Sequence, residues 1–364
     1  MDEEALNNDW KTLAAYLPPD LENSAREHGF VRRTTGRQDA QMWLRLLLLH
    51  AAGGLSLSQT VTRAKSRGWA QVSAVALHKR LRGAGPWLQA LTSHLVSGQR
   101  RVLAGMPAIK GRVLRIVDAT DIQEPGSTGT DWRLHYSLRL PDLVCDHFEL
   151  TDPHGGEQLG RFVFRPGEVV LADRGYCHRA GVAQVLTAGA AVVVRLVPTS
   201  FPLQDANGRA FNVLAKCAGL KVGQQREWRV WFAHGGRLRP LRLCVLRKSQ
   251  SATEAARRKL RQKASRKGQA RQEQTLQNAA YVMILTSLPA AEWSTAQVLE
   301  LYRSRWQIEL AFKRLKSLLH AGQVPKSSDP SARAWLQAKV LTALLVESLL
   351  CDSRSFSPYS GRVG

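Results

Sequence analysis

Paired cysteines are missing from this chain. Its five cysteines, Cys145, Cys177, Cys217, Cys244 and Cys351, are scattered singly, with no C-x-x-C pair. That spacing argues against a zinc site and fits reduced thiols in a cytosol. Long apolar runs are missing too. The run 44–49 is interrupted by Arg45 and the run 340–350 contains Glu347, so neither reads as a bilayer span. The opening residues, MDEEALNNDW, are acidic and polar, unlike a secretory leader. There is no internal repeat, no amphipathic anchor and no lipidation signal. These absences lead us to expect a soluble, cytoplasmic chain without a membrane partner. Acids are also scarce. Against 52 Lys and Arg stand 29 Asp and Glu, a net charge of +23, with a pI near 10.6. Such a field attracts polyanions, and nucleic acid is the usual one. Apolar residues are present in ordinary amount, 44% of 364, enough for two or three packed domains.

Residues 1–110 read as helices, at 41–52, 58–67 and 73–82, separated by Gly53-Gly54 and Gly68. The last two, with His78, Lys79, Arg80 and Arg82 on the later one, read either as a helix-turn-helix or as an αα-hairpin with solvated charges. From Arg112 the period changes. Residues 113–120, VLRIVDAT, are β-branched and apolar and end in acid at Asp118, with Asp121 close behind. Residues 132–140 and 143–152 alternate like paired strands about Pro141-Asp142. Residues 167–176, GEVVLADRGY, carry a continuously apolar and therefore central strand, with Asp173 at its C-terminal end. A helix at 179–188 and a strand at 190–197 follow. Residues 198–278 break this rhythm. They hold two strand-like stretches, REWRVWF and LRPLRLCVL, and then the basic run 251–271, which includes Arg257, Arg258 and Lys259 and only one acid, Glu254. This reads as a β-rich insertion with a basic helix or loop. A strand at 281–287 resumes the pattern, a helix spans 331–350, and the tail 351–364 is polar and loose.

Residues 299–320, LELYRSRWQIELAFKRLKSLLH, contain no Pro or Gly and read as one helix, with a capping box from Ser294 and Gln297. At 100° per residue, Leu301, Ile308, Phe312, Leu315 and Leu319 form an apolar stripe. Tyr302, Arg305, Glu309 and Lys316 form a polar stripe beside it. That polar face suits either a solvated surface, with Glu309 paired to Arg305 or Lys313, or a carboxylate that holds a metal while its neighbours grip phosphate. Asp118, Asp173 and Glu309 together favour the second reading. Acids at the C-terminal ends of neighbouring parallel strands converge at one edge of an α/β sheet. Three clustered carboxylates call for a neutralising cation, and Mg²⁺ takes such oxygen ligands. Two ions would serve an attacking water or 3′-hydroxyl and the leaving oxygen of a phosphodiester. Each acid has an alternative as a cap or turn residue, and Asp121 competes with Asp118.

The spacing of Tyr302, Arg305, Glu309 and Lys316 resembles the Tyr-Arg-Glu-Lys signature of the insertion-sequence-four family of bacterial DDE transposases. Trp306, Ile308, the DRGY at Asp173 and the Asp-Ala-Thr at Asp118 are similar as well, and the resemblance covers about 110–320. It implies an α/β, RNase H-like (retroviral-integrase-like) catalytic domain at 111–350, interrupted by the β-rich insertion 198–278. A helical domain that binds the DNA ends would precede it at 1–110, and a flexible tail would follow at 351–364. It further implies Asp118, Asp173 and Glu309 as the catalytic, metal-binding triad for Mg²⁺, with Mn²⁺ substituting. Tyr302, Arg305 and Lys316 would hold DNA phosphates, with Trp306 and Arg174 beside them. Lys79, Arg80, Arg257, Arg258 and Lys259 are the outlying DNA-contact candidates. An aromatic of the insertion, Trp228 or Trp231, would stack on a flipped base in a hairpin-forming relative. The implied activity is cut-and-paste transposition of double-stranded DNA at terminal inverted repeats, by a homodimer in the synaptic complex. The rivals are a metal-dependent nuclease without strand transfer and a truncated, non-catalytic inhibitor that binds DNA.

Overall fold

A computed structural model describes residues 10–31, 39–102, 110–124, 126–127, 129–140, 144–265, 273–318, 324 and 329–355. Its N-terminal part holds the helices α1 (Leu21–Glu27), α2 (Ala40–Ala52), α3 (Leu57–Ser66), α4 (Ala74–Gly83) and α5 (Gly85–Val102). The starts of α1 to α4 are fixed by side chains that accept the free N–H groups of the first turn: Asp20, Asp39, Ser56 (in a capping box with Gln59) and Ser73. Then come β1 (Val113–Ile122), β2 (Trp132–Leu140), β3 (Val144–Thr151), β4 (Glu168–Ala172), α6 (Arg179–Thr187) and β5 (Ala191–Arg195). After α7 (Val213–Cys217) a hairpin of β6 (Gln225–His234) and β7 (Arg237–Arg247) leads to α8 (Gln250–Ser265) and α9 (Glu273–Asn278). The chain closes with β8 (Tyr281–Thr286), α10 (Thr295–Arg303), α11 (Trp306–Leu318) and α12 (Asp329–Ser355).

All eight strands form one sheet in the order β3-β2-β1-β4-β5-β8-β7-β6. The pairs β1–β4 and β4–β5 are parallel, and the rest are antiparallel. The mixed α/β architecture agrees with the expectation from the alternating strand and helix signals. The strand at 167–176 is central, as its unbroken apolar run requires. Both faces of the sheet are covered. Leu114, Ile116, Leu171 and Val193 face a core shared with α2, α4, α5, α11 and α12. Val117, Val170, Val192 and Leu243 face a second core built with α6 and the hairpin. Among the described residues no helix is long and apolar enough to cross a membrane.

Two local readings need correction. The 299–320 stretch is two helices, because α10 stops at Arg303 and α11 starts at Trp306. At the break the Ser304 hydroxyl donates to the Leu301 carbonyl at 2.7 Å, competing with the helical ladder. The capping box of Ser294 and Gln297 is present, while Leu319 and His320 lie outside the described residues. The two strands expected within 198–278 are present as the β6–β7 hairpin. β7 pairs with β8, so the hairpin extends the main sheet. The final helix continues through 355, into the stretch read as tail; residues 356–364 lie outside the described residues.

Candidate active site

Sheet register sets the site. In the parallel ladders Val117 stands beside Ala172, and Ala172 beside Val194. The next residue on each strand is therefore Asp118, Asp173 and Arg195, a row of two carboxylates and a guanidinium on neighbouring strands. Asp118 is not the last residue of its strand, contrary to the reading of VLRIVDAT. β1 runs on to Ile122 against β2, while β4 stops at Ala172, so Asp118 lies where β1 loses its parallel neighbour. Strand alternation puts Asp118 on the face of Leu114, Ile116 and Ile122, which is the face that α11 covers with Ile308 and Phe312.

The α10–α11 break carries the second half of the site. Tyr302, in the last turn of α10, donates its phenol to Asp173 Oδ1 at 3.2 Å. Arg305, in the break itself, donates from Nη1 to Asp118 Oδ2 at 2.9 Å and from Nη2 to Glu309 Oε1 at 2.5 Å. One guanidinium thus joins two of the acids, while the phenol of the preceding helix holds the third. The i,i+4 pair of Arg305 and Glu309 is the one a solvated face would also make. The contact with Asp118, 187 residues away in sequence, is what a solvated face would not make. Lys316 donates to the Asp121 backbone carbonyl at 2.9 Å. The Asp121 carboxylate itself pairs with Arg133 at 3.0 Å, which leaves Asp118 as the acid the helix addresses.

Electrostatically the site holds excess negative charge. Burial raises the Asp118 carboxyl to about 6; the Ala119 N–H and Arg305 pull it down, and the Asp173 and Glu157 carboxylates push it up. The Tyr302 phenol is also held above its usual range by burial and by Asp173. Tyr176 of the DRGY turn is fully buried, and its hydroxyl has no hydrogen-bond partner among the described residues. It too feels Asp118 and Glu157. Among the described residues no three His, Cys, Asp or Glu side chains form a ready-made cation cage. Arg305, a cation of the chain, stands between Asp118 and Glu309. Carboxylate oxygens are the donors a hard divalent cation takes, and a cation bound by Asp118 and Glu309 would have to displace the Arg305 guanidinium.

Around the acids the surface turns basic. A cleft of about 390 Å³ is lined by Arg195, Tyr302, Arg305, Trp306 and the ion pair of Arg303 with Glu300, among apolar residues of β7, β8 and α10. Trp306 is 50% exposed there, unusual for an indole. Arg174 is exposed beside Asp173. Lys248 lies close enough to Arg195 and Arg174 for them, after burial, to lower its ammonium to about 8.

The structure does not bring every candidate to this place. Trp228 packs edge-on against Phe211, and Trp231 carries the Arg229 guanidinium. Both lie on β6, four strands from β4, or roughly 19 Å at the usual strand spacing. Arg80 is turned inward, donating to the Phe30 carbonyl at 2.8 Å and lying over the Trp43 ring. Lys79 remains exposed, on the same face of α4 as Val75, which is 77% exposed. Arg257 donates to the Leu276 carbonyl, tying α8 to α9, whereas Arg258 and Lys259 are exposed. Two groups at the site escaped sequence reasoning. Arg195 is visible only once the register of β4 and β5 is known. Glu157 lies in a loop without periodic signal.

A family model described as a transposase DDE domain matches residues 109–345. The putative transposase InsL of insertion sequence element IS186A, from Escherichia coli strain K12, is 34% identical over 362 residues, 97% of each chain. The transposase of insertion sequence element IS421, also from Escherichia coli, is 35% identical over 363 residues, again 97% of each. A match of this extent settles the family, and the chain belongs to the DDE transposases.

Proposed function

We propose that this chain moves an insertion sequence by cut-and-paste transposition, with Asp118, Asp173 and Glu309 as its catalytic carboxylates. The observation that carries the reading is the Arg305 bridge between Asp118 and Glu309, completed by Tyr302 on Asp173. The three carboxylates would hold the divalent cations, two Mg²⁺ or Mn²⁺ ions, which when bound would supply Lewis-acid activation of the attacking oxygen and neutralise charge on the phosphate. The chain's own groups do the rest. Arg305, Tyr302, Lys316, Arg174 and the newly found Arg195 hold phosphate oxygens of the strand being cut, the guanidinium forks by paired hydrogen bonds. Trp306 offers an exposed ring to a base beside them. Water attacks a phosphodiester at the element's end, the P–O3′ bond breaks, and a 3′-hydroxyl leaves. That hydroxyl then attacks a target phosphodiester in line and displaces its 3′ oxygen, so one bond forms for each that breaks.

The finer reading places the chain in the insertion-sequence-four family, with an RNase H-like catalytic domain at 111–350 interrupted by 198–278. Residues 1–110 would bind the terminal inverted repeats, with Lys79 as a phosphate contact, while 351–364 would form a tail. Two copies would assemble with the two ends, in the cytoplasm on the nucleoid. Exposed Arg258 and Lys259 support a second, sequence-independent DNA contact along α8. The test is cleavage of duplex DNA carrying the element's own ends, with Mg²⁺ or Mn²⁺. Wild-type protein nicks at the ends, and Asp173→Ala loses at least a thousandfold of that rate. Equal cleavage by both proteins would remove Asp173 from the site.

A further inference from the structure

Between Asp39 and Asp118 the chain carries twelve Lys or Arg and no Asp or Glu. Such a stretch repels cations and attracts a polyanion along its whole length. The helices α3 and α4 lie inside it, and the turn between them is fixed locally. Gly68 ends α3 in the left-handed region, and the Trp69 N–H reaches back to the Ala64 carbonyl at 2.9 Å. The Arg45 guanidinium of α2 covers the Trp69 ring, 3.5 Å from its centre. Ser73 then starts α4 by accepting the Ala76 N–H at 3.1 Å. The result is two short helices in contact about a braced turn.

The two faces of α4 are unlike. Leu77 and Leu81 are fully buried, and Arg80 beside them is turned inward onto the Phe30 carbonyl. That face packs on α12, among others. Val75, His78, Lys79 and Arg82, at i, i+3, i+4 and i+7, form the opposite stripe, and all four are exposed. None of these four side chains makes a hydrogen bond or ion pair among the described residues. Val75 is 77% exposed, more than any other large apolar side chain among the described residues. A β-branched side chain in solvent gains nothing by burial and lowers helix propensity, so the stability of α4 does not account for it. A merely solvated helix face mixes charges of both signs. This one offers a pair of methyl groups, an imidazole and two cations.

We infer that α3 and α4 form a helix-turn-helix whose second helix, α4, enters the major groove of the duplex at the element's end. Val75 packs on a thymine 5-methyl group, His78 meets the edge of a neighbouring base, and Lys79 and Arg82 neutralise phosphates at the rim of the groove. In such a motif the N-terminal residues of the second helix reach the base edges, and Val75 and His78 stand in the first half of α4. This role rests on the reading of residues 1–110 as the part that binds the inverted repeats, and it names the residues that read them.

The test measures binding of the full chain, by fluorescence anisotropy at several salt concentrations, to three duplexes. They are the element's own end, the same end with uracil in place of thymine, and a scrambled sequence of equal composition. Wild type, Val75→Ala, His78→Ala and Lys79→Ala are compared. The substituted side chains are exposed, so all three variants are expected to melt with wild type. Wild type should prefer the end over the scrambled duplex. Uracil should weaken that binding about fivefold or more, on the scale of one mismatched pair. Val75→Ala should bind the end equally weakly with thymine or uracil, and should bind the scrambled duplex as wild type does. His78→Ala should lose part of the preference for the end. Lys79→Ala should lose affinity for every duplex alike and flatten the slope of log affinity against log salt by about 0.9. A Val75→Ala protein that still distinguishes thymine from uracil would overturn the methyl contact. Undiminished end preference in both Val75→Ala and His78→Ala would take α4 out of the groove and leave the end-binding reading standing. A wild type that binds all three duplexes equally would overturn both.

Discussion

Asp118 shows how much a single carboxyl in this site is asked to bear. Its acid is raised to about 6, so the folded chain holds that proton more tightly than the unfolded chain does. The stability this carboxyl contributes is fully present below about pH 4 and is lost as the pH rises through 6, a change on the order of 3 kcal/mol from this group. Asp118→Asn removes the charge but keeps an oxygen for Arg305 and for the Ala119 N–H. The expected outcome is a protein that melts a few degrees above wild type in EDTA at pH 8. The difference should vanish as the pH falls below about 4. A calorimetric series across that range checks it, and a gap that widens toward acid would contradict the assignment of the raised carboxyl. The three proposed acids were legible because each stands in a context with its own signal: apolar β-branched runs before Asp118 and Asp173, and a helical polar stripe around Glu309. Glu157 and Arg195 were not. The first lies in a loop without periodic signal, and the second depends on a strand register. Arg80 and Arg257 read as solvent-facing cations because a lone Arg on a helix carries no sign of the carbonyl it finds.

At the level of elements, the acids keep their places because the strands beneath them are locked by charge. Arg115 of β1 is buried, and its guanidinium pairs with Asp146 of β3 at 2.7 Å and Glu168 of β4 at 2.9 Å. It also donates to the Val163 carbonyl at 2.7 Å. Replacing it with Met leaves two acids without their cation, and the expected loss is about 3–5 kcal/mol, readable as a lower urea midpoint with an unchanged slope. A midpoint equal to wild type would show that the triad holds nothing together. The strands themselves were legible, since alternation in β2, β6 and β7 and the apolar run of β4 are period signals. Two features were not. The interruption of the 299–320 helix at Ser304-Arg305, where the Ser304 hydroxyl donates to the Leu301 carbonyl, is something no periodicity reports. The joining of the hairpin to β8 is a long-range pairing, and the Pro/Gly turns around it looked like a boundary. That break in the helix matters for the site, because it aims Arg305 inward while Trp306 faces the cleft.

For the molecule as a whole, the charge balance and the acid cluster divide the work. A net charge of +23 is carried outside the acids, partly on α8, where Arg258, Lys259 and Arg261 are exposed. Reversing these three to Glu is expected to weaken DNA binding. It should also flatten the dependence of log affinity on log salt by about 0.9 for each phosphate that is no longer neutralised. Titrations at several salt concentrations read that slope, and a slope equal to wild type would take α8 off the DNA. In the proposed mechanism the parallel strands that carry Asp118 and Asp173 at one level, with α10 and α11 closing over them, would give one site both the hydrolytic and the joining step.

The most direct measurement of that claim is strand transfer of a pre-cut element end bearing a 3′-hydroxyl into a supercoiled plasmid, in Mg²⁺. Wild type should join the end, while Asp118→Asn, Asp173→Asn and Glu309→Gln each bind it and fail to join. A wild-type protein that cuts the end but never joins it would make the chain a nuclease. Joining by any of the three variants would show that the acid concerned lies outside the site.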